Sequence, residues 1–172
     1  LHVLLEVVSG FVLRIGFSHM TSPMFLCKLA CLLNVLVRDF TDSVVVSIGG
    51  SILVPGSNDS EYIARLAEML KALCSEVRLA IVCRGGKTAR YYAETGRQLG
   101  GDTYQLDILG IGATRLNAQL LALALGDMPD RVPESAEETA SMVAPGRVAV
   151  MGGTEPGHTT DAVAMMVAAR MG

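Results

Sequence analysis

The sequence predicts an α/β domain of three layers, α/β/α, built on a mostly parallel sheet. Three observations carry this expectation. Short runs of β-branched residues alternate with amphipathic helical segments, three of those runs end in paired glycines, and 172 residues that are 51% hydrophobic suffice for one sizeable core.

Taken in order, the first forty residues stand apart. "LHVLLEVVSGFVLRIGF" and "MFLCKLACLLNVLV" are apolar blocks, but Glu6, Arg14, Lys28 and Asn34 interrupt them and Pro23 lies between. Neither reaches the roughly 18 uninterrupted apolar residues of a membrane span. The opening "LHVLLE" also lacks the basic start of a signal peptide. Residues 1–43 therefore read as an apolar extension of unknown role ahead of a domain spanning 44–172, with Met20, Met24 or the region of Val37 as alternative starts.

From Val44 the pattern is regular. "VVVSIGGS" reads as a buried strand entering a tight glycine loop, and "DSEYIARLAEMLKALCSE" as a helix capped by Asp59 that buries Ile63, Leu66, Ala67, Leu70 and Leu73. "RLAIVCRGG" is a second strand ending in glycines. "KTARYYAETGRQLG" predicts a helix closing at Gly100, and "IGATRLNAQLLALALG" one that begins near Gly110 and closes at Gly126. After Pro129 and Pro133 come a short helix, "SAEETASMV", a third strand, "RVAVMGG", and a last helix, "TTDAVAMMVAARM". Strands alternating with helices imply right-handed crossovers and helices on both sheet faces.

Composition narrows the partners. A net charge of -3 and a pI near 5.6 supply no basic field, so neither nucleic acid nor an anionic membrane is an expected partner. Cys27 and Cys31 form the one close cysteine pair and have no second pair to complete a zinc site. They read as buried free thiols, in keeping with a reducing cytosol, with a redox pair as the alternative.

The glycine ends Gly49-Gly50, Gly85-Gly86 and Gly152-Gly153 point to a ligand. Parallel sheets gather ligands at the carboxyl ends of their strands. There, a glycine admits close approach and the following helix turns its free amides and positive end toward the loop, which suits phosphate. No G-x-x-x-x-G-K-[ST] or strand-linked G-x-G-x-x-G is present, so the site is neither a Walker loop nor a dinucleotide fold. The surplus of threonine, histidine and aspartate in "VMGGTEPGHTTDAV" exceeds what a connection needs.

In this order and at these separations, "SIGGSIL", "RGGKTARYY", "LDILGIGATRLNAQLL" and "VMGGTEPGHTTDAVA" resemble the archaeal type of uridylate kinase, within the amino acid kinase superfamily. The resemblance runs from Val44 to about Met171. It implies transfer of the ATP γ-phosphoryl to UMP with Mg2+, giving UDP for pyrimidine nucleotide synthesis, in a cytoplasmic homo-oligomer that is a hexamer in the family. It places Gly50, Ser51, Gly86 and Arg90 against ATP, and Gly85, Asp107, Thr154, Glu155, Pro156, Gly157, His158, Thr159 and Thr160 around UMP, with no protein metal ligand.

Each carried-over role has a physical basis and a plainer competitor. Arg90 offers a guanidinium fork to phosphate, or is a solvated helix residue. Asp107 accepts from ribose hydroxyls, or caps the helix near Gly110. His158 positions the substrate rather than serving as a general base, since phosphoryl transfer needs alignment and charge neutralisation. Asp161 is the catalytic candidate, orienting the site, with a helix cap as the alternative.

Three departures accompany the resemblance. Ser47 stands where many members carry a lysine, and Arg84 replaces the first of three glycines, where it either adds a phosphate ligand or crowds the loop. The "TNVDGVY"-like segment that grips adenine and ribose is not found before Gly172, so the carboxyl-terminal ATP-binding portion is expected to be missing. Two other functions compete. One is a sister kinase such as isopentenyl phosphate kinase, with a more apolar pocket in place of Asp107; the other is a non-catalytic nucleotide-binding or assembly module.

Overall fold

A computed structural model describes residues 5–6, 12–15, 43–54, 56 and 59–172. The expectations for Cys27, Cys31, the second apolar block and the alternative starts lie outside these residues. The elements are β1 (Leu5–Glu6), β2 (Val12–Ile15), β3 (Ser43–Ile48), α1 (Gly50–Leu53), α2 (Asp59–Cys74), β4 (Arg78–Cys83), α3 (Gly86–Gln98), α4 (Thr103–Leu125), α5 (Ala136–Met142), β5 (Val148–Met151) and α6 (Thr160–Met171).

The strands form one sheet in the order β1-β2-β3-β4-β5. β1 is antiparallel to β2, and the other pairs are parallel. Ile48 pairs with Cys83 and Val82 with Met151, so β3, β4 and β5 end on the same edge. The glycine pairs that follow them are thereby brought together, as the strand pattern predicts.

Alternation along the strands sorts the core into two halves. Val44, Val46, Ile48, Leu79, Ile81, Cys83 and Val150 face α2 and α4, where Leu66, Leu70, Ala118 and Leu121 meet them. Val45, Ala80, Val82, Ala149 and Met151 face α5 and α6, against Ala136, Val163, Ala164 and Val167. This is the predicted three-layer arrangement. Burial pushes the Cys83 thiol up to about 12, leaving it inert at neutral pH.

Two helix starts differ from the sequence expectation. α4 begins at Thr103, seven residues or so before the predicted start near Gly110. A capping box is the cause: Asp102 accepts from the Gln105 amide at 2.9 Å, while the Gln105 side chain accepts from the Asp102 amide at 2.9 Å. Gly110 and Gly112 lie within the helix rather than breaking it, and Asp107 is a second-turn residue, not a cap. Asp59 is the first residue of α2, and its carboxylate accepts from the Gly56 amide at 2.8 Å.

α4 is long and apolar enough to cross a membrane by length and composition alone. In this fold it packs on α2, α3 and β5. Its outer face leaves Ile108, Leu116, Leu120 and Leu123 exposed. The inner face buries Leu121 completely. Leu121→Ala is expected to destabilise the domain by about 2–5 kcal/mol, and Leu116→Ala by no more than about 0.5 kcal/mol, measured by urea unfolding. Equal costs would contradict the inward orientation of Leu121.

Candidate functional site

The site begins with backbone meeting backbone. Gly50, opening α1, lies so close to Gly86 that an added β-carbon would stand 2.5 Å from the Gly86 nitrogen. Reciprocally, a β-carbon on Gly86, whose φ is +62°, would meet the Gly50 carbonyl carbon at 2.5 Å and the Ser51 nitrogen at 2.6 Å. Neither position tolerates a side chain, so the first two strand ends form a continuous surface of peptide groups. The Arg84 amide fixes it further by donating to the Ile48 carbonyl at 2.9 Å.

The third glycine end is fastened by α4. Thr114 Oγ1 accepts from the Gly153 amide at 2.6 Å and donates to the Ile111 carbonyl at 2.6 Å. Asn117, also buried, donates through Nδ2 to the Arg84 carbonyl at 2.8 Å and the Gly85 carbonyl at 3.4 Å. Arg115 donates from Nε to the Gly153 carbonyl at 3.2 Å and from Nη2 to the Thr154 carbonyl at 2.9 Å. Its Nη1 lies 3.2 Å from Glu134. One turn into α4, Asp107 Oδ2 accepts from the Gly157 amide at 2.9 Å.

These bonds hold open a cleft of ≈ 460 Å3 between α3, α4 and the loop 152–160. That volume suits a mononucleotide-sized ligand. Arg90 and Arg97 enter from α3, Asp107 and Thr114 from α4, and Gly153, Glu155, His158 and Thr160 from the loop. Arg90 also reaches the first glycine loop, with Nη2 at 3.4 Å from Ser51 Oγ. It therefore stands between the residues assigned to UMP and those assigned to ATP. His158 Nδ1 lies 3.4 Å from Glu155 Oε1 and 3.5 Å from Thr154 Oγ1, contacts that shape the loop.

The remaining predicted residues fall around this cleft rather than on its wall. Gly50, Ser51, Gly85 and Gly86 form the peptide surface at one end; Thr154, Pro156 and Gly157 carry the bend of the loop. Thr159 caps α6 by accepting from the Ala162 amide at 3.1 Å, which displaces the reading of Asp161 as the cap. Asp161 instead lies in the first turn of α6, where Oδ1 accepts from Ser47 Oγ at 3.3 Å and sits 3.6 Å from Arg84 Nη1. Both sequence departures in the strand ends thus converge on one carboxylate. Among the described residues no group of three or more His, Cys, Asp or Glu could hold a metal ion.

Sequence reasoning missed Thr114, Arg115, Asn117, Arg97 and Glu134. A signal was present for the first three: they join Asp107 on an otherwise apolar helix, and positions 107, 114 and 117 recur at the spacing of one helical face.

Glycine-lined strand ends that converge on one sheet edge, a loop fastened to α4 and a cleft lined by charged and polar side chains define the chain as an α/β domain with its candidate site at the carboxyl ends of parallel strands. Residues 42–172 match the amino acid kinase family, and the chain belongs to that family. It is 47% identical over 128 residues to the uridylate kinase of Methanocaldococcus jannaschii, covering 73% of this chain and 57% of that protein. To the uridylate kinase of Methanobrevibacter smithii it is 45% identical over 126 residues, covering 73% and 56%. The crystal structure of uridylate kinase from Archaeoglobus fulgidus superposes with a TM-score of 0.64 at 40% identity, over 74% of this chain and 57% of that one. UMP kinase from Bacillus anthracis shares the fold, with a TM-score of 0.58 at 18% identity. The chain spans about half the length of the curated relatives it matches.

Because the Gly153 amide is buried against Thr114, Thr114→Val leaves a polar group without its acceptor. The expected cost is about 1–3 kcal/mol, against less than about 1 kcal/mol for Thr114→Ser, which retains the hydroxyl. Chemical denaturation of the two variants measures the difference, and equal losses would show that the hydroxyl does not hold the loop.

Proposed function

We propose that this chain is the acceptor-binding part of a uridylate kinase, which transfers the ATP γ-phosphoryl to UMP to give UDP. The observation that carries the reading is the cleft itself. Asp107, Glu155, His158, Thr160 and Gly153 line one cavity with Arg90, whose guanidinium contacts Ser51, so residues assigned to the two substrates are contiguous. Relatives called uridylate kinase, at 43–47% identity, support the choice of substrate.

In this reading Gly85 and the loop Thr154, Glu155, Pro156, Gly157, His158, Thr159 and Thr160 surround UMP, and Asp107 serves two partners. Oδ2 holds the Gly157 amide while the other carboxylate oxygen accepts from the ribose hydroxyls, so loop position and substrate position are set by one side chain. Gly50, Ser51, Gly86 and Arg90 meet ATP phosphates through amide and guanidinium donors. Mg2+ would be held chiefly by those phosphates and by water, since it needs few protein carboxylates. It would neutralise charge on the transferring group. The ladder of Ile108, Leu116, Leu120 and Leu123 on α4 supports self-association of a homo-oligomer, and a cytoplasmic location accompanies the reading.

A calorimetric titration with UMP, CMP, AMP and GMP tests the assignment. UMP is expected to bind at least about tenfold more tightly than either purine monophosphate, and Asp107→Asn to weaken UMP by about 5- to 50-fold. Equal affinity for all four nucleotides, or binding of isopentenyl phosphate in place of UMP, would overturn it.

A further inference from the structure

The cations around the cleft differ in how fully their donors are engaged. Arg115 has two carbonyls and Glu134 as partners, which makes it a fastener of the loop. Arg97 is paired with Glu94 along α3, and Arg90 reaches Ser51 Oγ. Arg84 is different. Its side chain is only 30% exposed, yet among the described residues its guanidinium has a single acidic neighbour, Asp161, at 3.6 Å and beyond hydrogen-bond distance. A guanidinium carries five N–H donors, and those that no protein acceptor engages remain available to a ligand.

Its location is equally specific. The backbone of Arg84 is fixed at both ends, its amide donating to Ile48 and its carbonyl accepting from Asn117. The side chain therefore starts from a rigid point between Gly50, on the donor side, and Gly85, on the acceptor side. It ends beside Asp161, the neighbour of the cleft residue Thr160. Ser47, fully buried, donates to the same Oδ1 of Asp161 at 3.3 Å and so helps to set the carboxylate that the guanidinium faces.

We propose that Arg84 is a phosphate-binding residue of the transfer site, with its guanidinium directed by Asp161 toward the phosphoryl group as it passes from donor to acceptor. This rests on the uridylate kinase reading. In that transfer an oxygen of the UMP phosphate bonds to the γ-phosphorus of ATP, the bond from that phosphorus to the β,γ-bridging oxygen breaks, and ADP leaves with the electron pair. Arg84 gives up no proton; its planar fork offsets negative charge on the equatorial oxygens. Asp161 is then a positioning residue acting through Arg84.

The product UDP carries the transferred phosphoryl and UMP does not, so the two ligands separate this role from a structural ion pair. Calorimetric titrations of UMP and UDP into the wild-type chain, Arg84→Gln and Arg84→Lys provide the test, with thermal melts confirming folding. Arg84→Gln is expected to weaken UDP by about tenfold or more and UMP by less than about twofold. Arg84→Lys keeps the charge and loses the fork. It is expected to weaken UDP by about threefold with UMP unchanged, and it decides the matter alone if the glutamine variant does not fold. Unchanged UDP binding, or equal weakening of both nucleotides, would overturn the role of Arg84 while leaving the uridylate reading intact. A wild-type chain that binds neither nucleotide would overturn both.

Discussion

The hydrogen bond from the Gly153 amide to Thr114 Oγ1, 2.6 Å long and buried, is the contact on which the geometry of the cleft depends. It belongs to one face of α4 on which a few polar side chains interrupt an apolar helix. Asp107 and Thr114 bind the loop after β5 and Asn117 the loop after β4, and together they join the second and third strand ends to the same rigid rod. Loops this rich in glycine lose much conformational entropy on ordering, so they need fixed partners to present a preorganised surface. α4 supplies those partners; the bonds of Thr114 and Asn117 are shielded from water, so leaving either unmade is costly, while that of Asp107 lies at the surface.

This arrangement explains why a helix apolar enough to resemble a membrane span belongs in the domain. Its inner face closes the core above β4 and β5 through Ala118 and Leu121, and Asp107, Thr114, Arg115 and Asn117 are engaged by backbone groups of neighbouring loops. The outer ladder is what the fold leaves uncovered. The cleft and the uncovered apolar ladder thus lie on opposite faces of the same element, with Asp107 near one end fixing the threonine-rich loop beside the cleft.

Much of the fold was legible because it rests on local rules. The β-branched runs and their glycine ends are read from neighbouring residues, whereas the caps at Asp102, Ser135 and Thr159 emerged only with the structure. Gly110 and Gly112 misled because glycine disfavours helix intrinsically, by about 1 kcal/mol each, whereas the capping box and packing against α3 decide the actual start. The candidate site was legible where a motif is contiguous, as in the loop 154–160. The meeting of Ser47, Arg84 and Asp161 was not, because it joins three elements separated by many residues and appears only once the strand register is known. Thr114 and Asn117 lay between these cases: their spacing with Asp107 was visible, but the carbonyl and amide groups they bind were not.

Amide hydrogen exchange of the ligand-free chain tests most directly whether α4 preforms the site. The Gly153 amide should exchange as slowly as the core amides of β4, and the Gly157 amide, held by the more accessible Asp107, at an intermediate rate well below that of an unstructured chain. If both amides exchange at unstructured rates while α4 and β4 remain protected, the loop is not fastened to the helix and the cleft is not a property of the fold.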